Sequence, residues 1–214
     1  MYKYDLSVIV PCHNVEPYIQ LLLDSFKNQI VKNYKIEYIF ILDSCSDDTR
    51  GRIKSNNLEN VTLIECNVKS VGLARNIGTL LAQGKYIWYI DGDDWLLENN
   101  IFLNILNYFS KHEDVNIIRV DWATTPLWPG IKDNKAMAPM MWQFIIKHDF
   151  ILENDLKFSG IQPGEDLEYL NKVIEILNKY NFELPLYNRK VYFYNYGRIN
   201  SNMNQFQKNG KIEM

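Results

Sequence analysis

The sequence predicts an α/β fold in which a mixed, mainly parallel sheet is flanked by helices. Apolar segments of strand length alternate along the chain with amphipathic segments of helix length, as in layered domains with right-handed crossovers. Several strand segments are apolar without alternation, which is typical of strands covered on both faces. Because ligands of such sheets bind at the carboxyl ends of the strands, residues that directly follow a strand are the first candidates for a site.

The predicted elements alternate through most of the chain. The strands cover residues 6–10, 36–42, 61–65, 86–90, 115–120 and 191–196, the last of them as an edge strand. The helices cover about residues 17–30, 70–83, 98–109 and 165–177. Arg75 lies off the apolar stripe of the second helix, and the inner face of the fourth is predicted to consist of Leu167, Leu170, Ile174 and Leu177.

Composition limits the class of protein. No Pro/Gly/Ser-rich linker divides the 214 residues, so we expect one domain over residues 1–214, with a polar tail at 205–214. A net charge of −3 argues against a nucleic-acid binder. Three cysteines without metal-ligand spacing indicate a reducing compartment, so we expect a cytoplasmic protein. We expect no signal peptide or transmembrane segment, which leaves attachment to the membrane periphery as the alternative location.

The most informative stretch is residues 86–95, where an uninterrupted apolar segment runs directly into Asp91, Asp93 and Asp94. Carboxylates this close repel one another, and a divalent cation is the simplest compensation. Hard oxygen ligands favour Mg²⁺ or Mn²⁺. Gly92 allows the backbone to approach a ligand closely. The alternative is a solvated acidic turn in which Asp93 or Asp94 caps the next helix.

Further candidates follow other strands or begin helices. His13 and Asp43 directly follow the first two strands, so both can face the same crevice. Arg75 is within reach of an anionic ligand at the acidic strand, or is simply solvated. Asp166 at the head of the fourth helix is either a catalytic base or an acidic residue favoured by the helix dipole. Arg198 is a phosphate clamp or an exposed side chain.

These segments resemble glycosyltransferase family 2, a group of inverting, nucleotide-sugar-dependent enzymes with the Rossmann-like GT-A fold. The opening strand and loop, SVIVPCHN at residues 7–14, resembles the family's SVIIPVYN. Residues 42–49, LDSCSDDT, resemble its DDGSTDGT. Residues 74–78, ARNIG, are similar to its ARNxG helix, and residues 86–96 to the strand that ends in DxDDW. Residues 139–152 and GED at residues 164–166 resemble the acceptor-side segment and its ED motif.

The resemblance implies a role for each matching position. About residues 1–121 would form a nucleotide-sugar-binding half and about residues 122–204 an acceptor-side half. His13 and Asp43 would hold the base, Asp93 and Asp94 a Mn²⁺ or Mg²⁺ ion, and Asp166 would be the catalytic base, with Glu165 as the next candidate. The candidates for nucleotide-sugar binding are Pro11, His13, Asn14, Asp43, Arg75, Asp91, Gly92, Asp93, Trp142 and Arg198.

The implied reaction is a metal-assisted single displacement that moves a sugar from a nucleoside-diphosphate sugar, expected to be a UDP-sugar, to a hydroxyl of a glycan, a lipid-linked sugar or another acceptor. The sequence departs from the family pattern at His13, at Leu42 and at Ser44, where the family has Tyr, Asp and Gly. The changes at Leu42 and Ser44 leave open a non-catalytic sugar-nucleotide binder or scaffold. A nucleotidyltransferase is a second alternative, but residues 6–14 lack its glycine-rich phosphate loop.

Overall fold

The computed structural model describes residues 2–124, 140–161 and 164–195, in which eight strands form one sheet with helices on both faces. The strands are β1 (Tyr4–Cys12), β2 (Ile36–Asp43), β3 (Val61–Cys66), β4 (Gly84–Tyr89), β5 (Trp95–Leu96), β6 (Ile117–Thr124), β7 (Phe144–Lys147) and β8 (Leu186–Tyr194). The helices are α1 (Ile19–Lys27), α2 (Thr49–Ser55), α3 (Val71–Leu81), α4 (Ile101–Lys111), α5 (His148–Glu153) and α6 (Glu165–Tyr180), and a 3₁₀ turn covers Met141–Gln143.

The strand order is β3-β2-β1-β4-β7-β6-β8-β5. The first four strands of the chain pair in parallel, so the carboxyl ends of β1, β2 and β4 lie at one edge of the sheet. β7 runs antiparallel to both of its neighbours, and β8 pairs parallel to β6. This mixed sheet, flanked by helices, confirms the α/β prediction.

The two faces of the sheet bury different side chains. Along β4, Tyr86, Trp88 and Ile90 pack with α1 and α4, whereas Ile87 and Tyr89 pack with α3, α5 and α6. Both faces are therefore apolar, because each is covered by helices, and this explains the uninterrupted apolar sequence of the strand. The charged residues that follow it emerge only where the strand ends.

Helix α3 lies unusually close to the sheet. A Cβ atom at Gly78 would lie 2.3 Å from Cγ2 of Ile9 on β1, so only glycine fits without displacement. The helix begins after Ser70, whose hydroxyl accepts a hydrogen bond from the Leu73 N–H at 3.4 Å. This close packing fixes the position of Arg75, which lies one turn before Gly78.

β8 and the inner face of α6 differ from the sequence prediction, and the short elements β5, β7 and α5 were not predicted. β8 is not an edge strand, because β6 pairs with it on one side and the short β5 on the other. The predicted inner face of α6 is also partly wrong, since Leu167 and Ile174 are 48% and 41% exposed. The face that packs on the sheet is instead made by Tyr169, Leu170, Val173 and Leu177.

Within the described ranges, no helix combines the length and the apolar character that a membrane crossing requires. Residues 125–139 and the tail at 205–214 lie outside these ranges.

Candidate functional site

Residues 91–94, here called the acidic loop, lie between β4 and β5 and form a turn. The Asp94 N–H donates to the Asp91 carbonyl oxygen at 3.2 Å, which closes the turn. Gly92 is buried in it, and a Cβ atom there would lie 3.2 Å from both Cys12 Sγ and Val15 Cγ2. Glycine at this position therefore allows the loop to pack closely against the end of β1 and the residues after it, and not against a ligand as the sequence suggested.

Arg75 is the centre of a network of carboxylates that are far apart in sequence. Its guanidinium pairs with Asp91 at 2.9 Å, hydrogen-bonds to Asp166, and lies 4.0 Å from a carboxylate oxygen of Glu165. The side chain is only 3% exposed. Burial acts to lower the pKa of Arg75, but the charges of Asp166 and Asp91 outweigh it and raise that pKa above its ordinary value.

The prediction that Arg75 lies off the apolar stripe of its helix therefore needs correction. The residue faces inward and is buried because carboxylates from two other parts of the chain neutralise it. The Nε–H group of Arg75 is buried and has no hydrogen-bond partner, so one donor of the guanidinium is unsatisfied.

Asp166 and Glu165 stand at the beginning of α6. One oxygen of Asp166 faces Arg75, and the other accepts a hydrogen bond from the Met141 N–H at 2.9 Å. Burial and the neighbouring charge of Asp166 raise the pKa of the Glu165 carboxyl. Both carboxylates also lie where the positive end of the helix dipole stabilises negative charge. Asp166 is thus held by two donors at the edge of the acidic loop.

Asp94 is fully buried and has a different set of partners. Its Oδ2 accepts a hydrogen bond from the Tyr192 hydroxyl, and its Oδ1 accepts one from the Asn195 N–H at 2.8 Å. Burial, together with the charges of Asp93 and Asp91, raises the pKa of the Asp94 carboxyl well above its ordinary value. Asp93 and Asp94 do not cap the following helix, because its N-cap residue is Asn100.

The segments after β1 and β2 hold each other in place. The Asn14 side-chain oxygen accepts hydrogen bonds from the Ser46 and Asp47 N–H groups at 2.7 and 3.3 Å. The Asp43 carboxylate accepts from three backbone N–H groups, those of Val68, Lys69 and Ser70. Both side chains therefore organise loops at this end of the sheet.

His13 is exposed, and its ring is oriented by a hydrogen bond between Nδ1 and the Asp43 carbonyl oxygen at 2.7 Å. Leu42 stands where the family pattern has an aspartate, and it is buried in the core. Ser44 stands where the pattern has glycine and keeps the left-handed backbone, with φ of 54°.

Two of the remaining candidates, Pro11 and Trp142, are buried. Pro11 is buried in β1. Trp142 is 1% exposed and stacks on Tyr192, with ring centroids 4.4 Å apart, so it lies beneath the acidic loop. Arg198 lies outside the described residues.

The donor set suits a hard divalent cation that takes few protein ligands. Across residues 2–124, 140–161 and 164–195, no three His, Cys, Asp or Glu side chains are grouped to hold a metal ion. Mg²⁺ and Mn²⁺ sites that use one or two carboxylates and complete their coordination with phosphate oxygens need no such group. Asp91, with 27% of its side chain exposed, and Asp93 are the neighbouring carboxylates that fit this arrangement.

Sequence reasoning did not identify Tyr192 and Asn195. Tyr192 lies near the end of β8 and Asn195 directly follows that strand, and they bind the acidic loop from 98 and 101 residues away. No local pattern links such distant positions. The one available signal was a run of aromatic and polar residues at the end of a predicted strand, at the same edge of the sheet as the aspartates.

The fold is similar to that of solved sugar-nucleotide complexes. S. aureus TarS (1–349) in complex with UDP-GlcNAc superposes with a TM-score of 0.77 at 20% identity, over 94% of this chain and 60% of that one. The mannosyltransferase PcManGT from Pyrobaculum calidifontis, in complex with GDP-Man and Mn²⁺, gives a TM-score of 0.71 at 16% identity, over 97% and 61% of the two chains. The sheet and its flanking helices thus define a protein of the GT-A fold class.

The family follows from sequence. The model of "Glycosyl transferase family 2" matches residues 7–159, more than half of the chain, and the chain belongs to this family. The resemblance seen in the motifs is thereby confirmed. The "Minor teichoic acid biosynthesis protein GgaB" of Bacillus subtilis (strain 168) is 27% identical over 199 residues, which are 84% of this chain but 22% of that protein. This chain therefore spans less than a quarter of the length of that relative.

Proposed function

We propose that this chain catalyses the transfer of a sugar from a UDP-sugar to a hydroxyl group of a glycan or polyol-phosphate acceptor. The observation that carries the proposal is the convergence on Arg75 of Asp91, from the acidic loop, and Asp166, from the head of α6. One carboxylate from the predicted donor-binding part of the chain and one from the acceptor-binding part therefore contact the same guanidinium. A reaction between two bound substrates requires this proximity.

The donor is proposed from the site and from the similar proteins together. The acidic loop, the oriented ring of His13 and the loops held by Asn14 and Asp43 lie at the carboxyl ends of parallel strands, where nucleotides bind in such folds. The TarS complex contains UDP-GlcNAc, which supports uracil as the base.

The acceptor is proposed from the names of similar proteins alone. GgaB is named for minor teichoic acid biosynthesis, and TarS is named a poly(ribitol-phosphate) beta-N-acetylglucosaminyltransferase. Both names point to cell-wall polymers that carry many hydroxyl groups. A polyol-phosphate chain is therefore the first acceptor to test.

In the proposed mechanism, Asp166 takes the proton of the attacking hydroxyl. Its two hydrogen-bond donors, Arg75 and the Met141 N–H, hold the carboxylate in one orientation. Attack on the face opposite the leaving nucleotide would invert the anomeric configuration. Glu165 is the alternative base, because burial and the charge of Asp166 raise the pKa of its carboxyl and so make its carboxylate more basic.

Asp91 and Asp93 would hold a Mn²⁺ or Mg²⁺ ion. When bound, such an ion supplies Lewis-acid stabilisation of the negative charge on the nucleoside-diphosphate leaving group. A mannosyltransferase of the same fold was solved in complex with Mn²⁺, which supports a divalent metal as part of the proposal.

The proposal is tested by incubating the purified protein with UDP-GlcNAc or UDP-glucose, MnCl₂ and poly(ribitol phosphate), and by measuring UDP release and labelled polymer. Transfer to the polymer is the expected result. UDP release without polymer labelling would support the enzyme but not the acceptor. If UDP-sugars bind but are never cleaved, the protein is a sugar-nucleotide binder and not a transferase.

A further inference from the structure

The end of β8 is attached to the acidic loop at three of its four residues. The Tyr192 hydroxyl accepts a hydrogen bond from the Asp91 N–H at 3.2 Å and donates one to Asp94 Oδ2. The Asn195 N–H donates to Asp94 Oδ1 at 2.8 Å, and the Asn195 side-chain amide donates to the Asp93 carbonyl oxygen at 3.2 Å. A single strand thus binds the loop through both its main chain and its carboxylate.

The partners of Asp94 distinguish it from its neighbours. It is 0% exposed, and its carboxylate oxygens accept hydrogen bonds from Tyr192 of β8 and from Asn195, which follows that strand. Because Asp94 is fully buried, a cation could reach its carboxylate only if the surrounding groups moved. Asp93, in contrast, is 9% exposed, and Asp91 has 27% of its side chain exposed.

From these contacts we propose that Tyr192 is a positioning residue for the acidic loop and that Asp94 is its hydrogen-bond acceptor, not a metal ligand. The Tyr192–Asp94 contact holds the turn in the shape that presents Asp91 and Asp93 to a cation and a diphosphate. The role of Tyr192 in cation and diphosphate binding rests on the proposed function. Its effect on the conformation of the acidic loop does not depend on that function.

The ring and the hydroxyl of Tyr192 can be separated by mutation. The ring stacks on Trp142 with an interplanar angle of 2°, and the Trp142 carbonyl oxygen accepts a hydrogen bond from Trp88 Nε1 at 2.7 Å. Tyr192→Phe keeps this stacking and removes only the two hydrogen bonds to the loop. The variant therefore tests the hydroxyl without opening a cavity.

Tyr89→Phe is the matched control. Tyr89 is also buried, its hydroxyl is hydrogen-bonded to Thr79 Oγ1 at 2.7 Å, and it lies on the opposite face of the sheet. Both variants lose a buried tyrosine hydroxyl and should be destabilised to a similar extent. An effect specific to the loop should appear only in Tyr192→Phe.

The first measurement is UDP binding by titration calorimetry over a series of MnCl₂ concentrations. In Tyr192→Phe we expect the apparent Mn²⁺ affinity to fall by about tenfold, whereas in Tyr89→Phe it should stay within about twofold of wild type. Asp94→Asn should resemble Tyr192→Phe, and the double variant should lose less than the sum of the two single variants, because they share the Tyr192–Asp94 contact. Loss of Mn²⁺ dependence in Asp94→Asn alone would instead make Asp94 a ligand.

The second measurement needs no ligand. Amide hydrogen exchange of the peptide that spans residues 90–97 should become about tenfold faster in Tyr192→Phe and remain unchanged in Tyr89→Phe. Equal exchange in the two variants would overturn the proposal. If wild-type protein binds no UDP, the proposed function fails, while the exchange measurement still decides whether Tyr192 holds the loop.

Discussion

At the scale of single residues, Asp166 is the carboxylate on which the proposed chemistry depends. We expect Asp166→Asn to reduce sugar transfer by about two to four orders of magnitude, because the amide cannot take the proton of the acceptor hydroxyl. UDP binding should be nearly unchanged, because asparagine can still accept the hydrogen bond from the Met141 N–H. Initial rates and calorimetric UDP titrations measure the two effects.

Glu168→Gln is the control for this substitution. Glu168 lies in the same first turn of α6 but forms its ion pair with Lys172, at 2.8 Å, on the exposed side. Its loss should leave transfer unchanged. If Asp166→Asn also transferred sugar at the wild-type rate, Asp166 would serve to neutralise Arg75 and not act as the base.

His13 gives a second prediction at this scale. The ring is exposed and its orientation is fixed by Asp43, so one face is available for stacking on a nucleobase. His13→Ala should weaken UDP binding by about 1 kcal/mol, whereas His13→Tyr should retain it. His112→Ala, which removes an exposed histidine that stacks on Tyr108, is the control for calorimetry. Unchanged affinity in His13→Ala would assign the ring to loop structure alone.

At the scale of secondary-structure elements, α3 must lie close to β1 for Arg75 to reach the acidic loop. Alanine normally favours a helix over glycine by about 1 kcal/mol, but at Gly78 its Cβ would lie 2.3 Å from Ile9 Cγ2. We expect Gly78→Ala to lower the free energy of unfolding by about 1–2 kcal/mol, since overpacking typically costs about 1–3 kcal/mol. Urea denaturation measures the change.

Leu80→Ala is the control for packing in α3, because this side chain is 82% exposed on the same helix. It should change the unfolding free energy by less than about 0.5 kcal/mol. A Gly78→Ala variant at least as stable as wild type would mean that α3 does not pack as closely as described.

The sequence predicts the positions of strands and helices better than it predicts which side chains of a helix are buried. Strand β4 was identifiable because helices cover both of its faces and its sequence is apolar throughout. The inner face of α6 was not, because Tyr169 packs inward by stacking on Phe158 at 4.2 Å, while the more apolar Leu167 and Ile174 remain exposed. Hydrophobicity alone does not encode that contact.

The same limit applies to the site. The positions of Asp43 and Asp91 followed from the rule that ligands bind at strand ends. The burial of Arg75 did not, because it depends on Asp166, which is 91 residues away. Nor did the burial of Asp94, because its donors belong to β8. Partners this distant are known only once the sheet order is known.

At the scale of the whole molecule, ligand binding should be coupled to stability through the acidic loop. With Mn²⁺ present, UDP at about one hundred times its dissociation constant should raise the free energy of unfolding by about 2.7 kcal/mol. EDTA should abolish the effect, and renewed addition of Mn²⁺ should restore it. Thermal unfolding with and without each component measures this dependence.

Asp93→Ala should remove the Mn²⁺-dependent part of the stabilisation, whereas Asp114→Ala, which changes an exposed aspartate before β6, should retain it. Stabilisation by UDP that is equal with EDTA and with Mn²⁺ would contradict the assignment of a metal to this loop.

The attachment of the acidic loop to β8 also has a consequence for the order in which the protein becomes active during synthesis. The ribosome releases residues 91–94 about one hundred residues before Tyr192 and Asn195, whose hydrogen bonds span 98 and 101 positions. Until then, the Asp94 carboxylate lacks the two donors that allow its burial. The nascent chain can form the parallel strands β1 to β4 early, but its acidic loop reaches its final shape only when β8 joins the sheet. A chain interrupted before residue 195 would therefore lack the hydrogen bonds that shape the acidic loop.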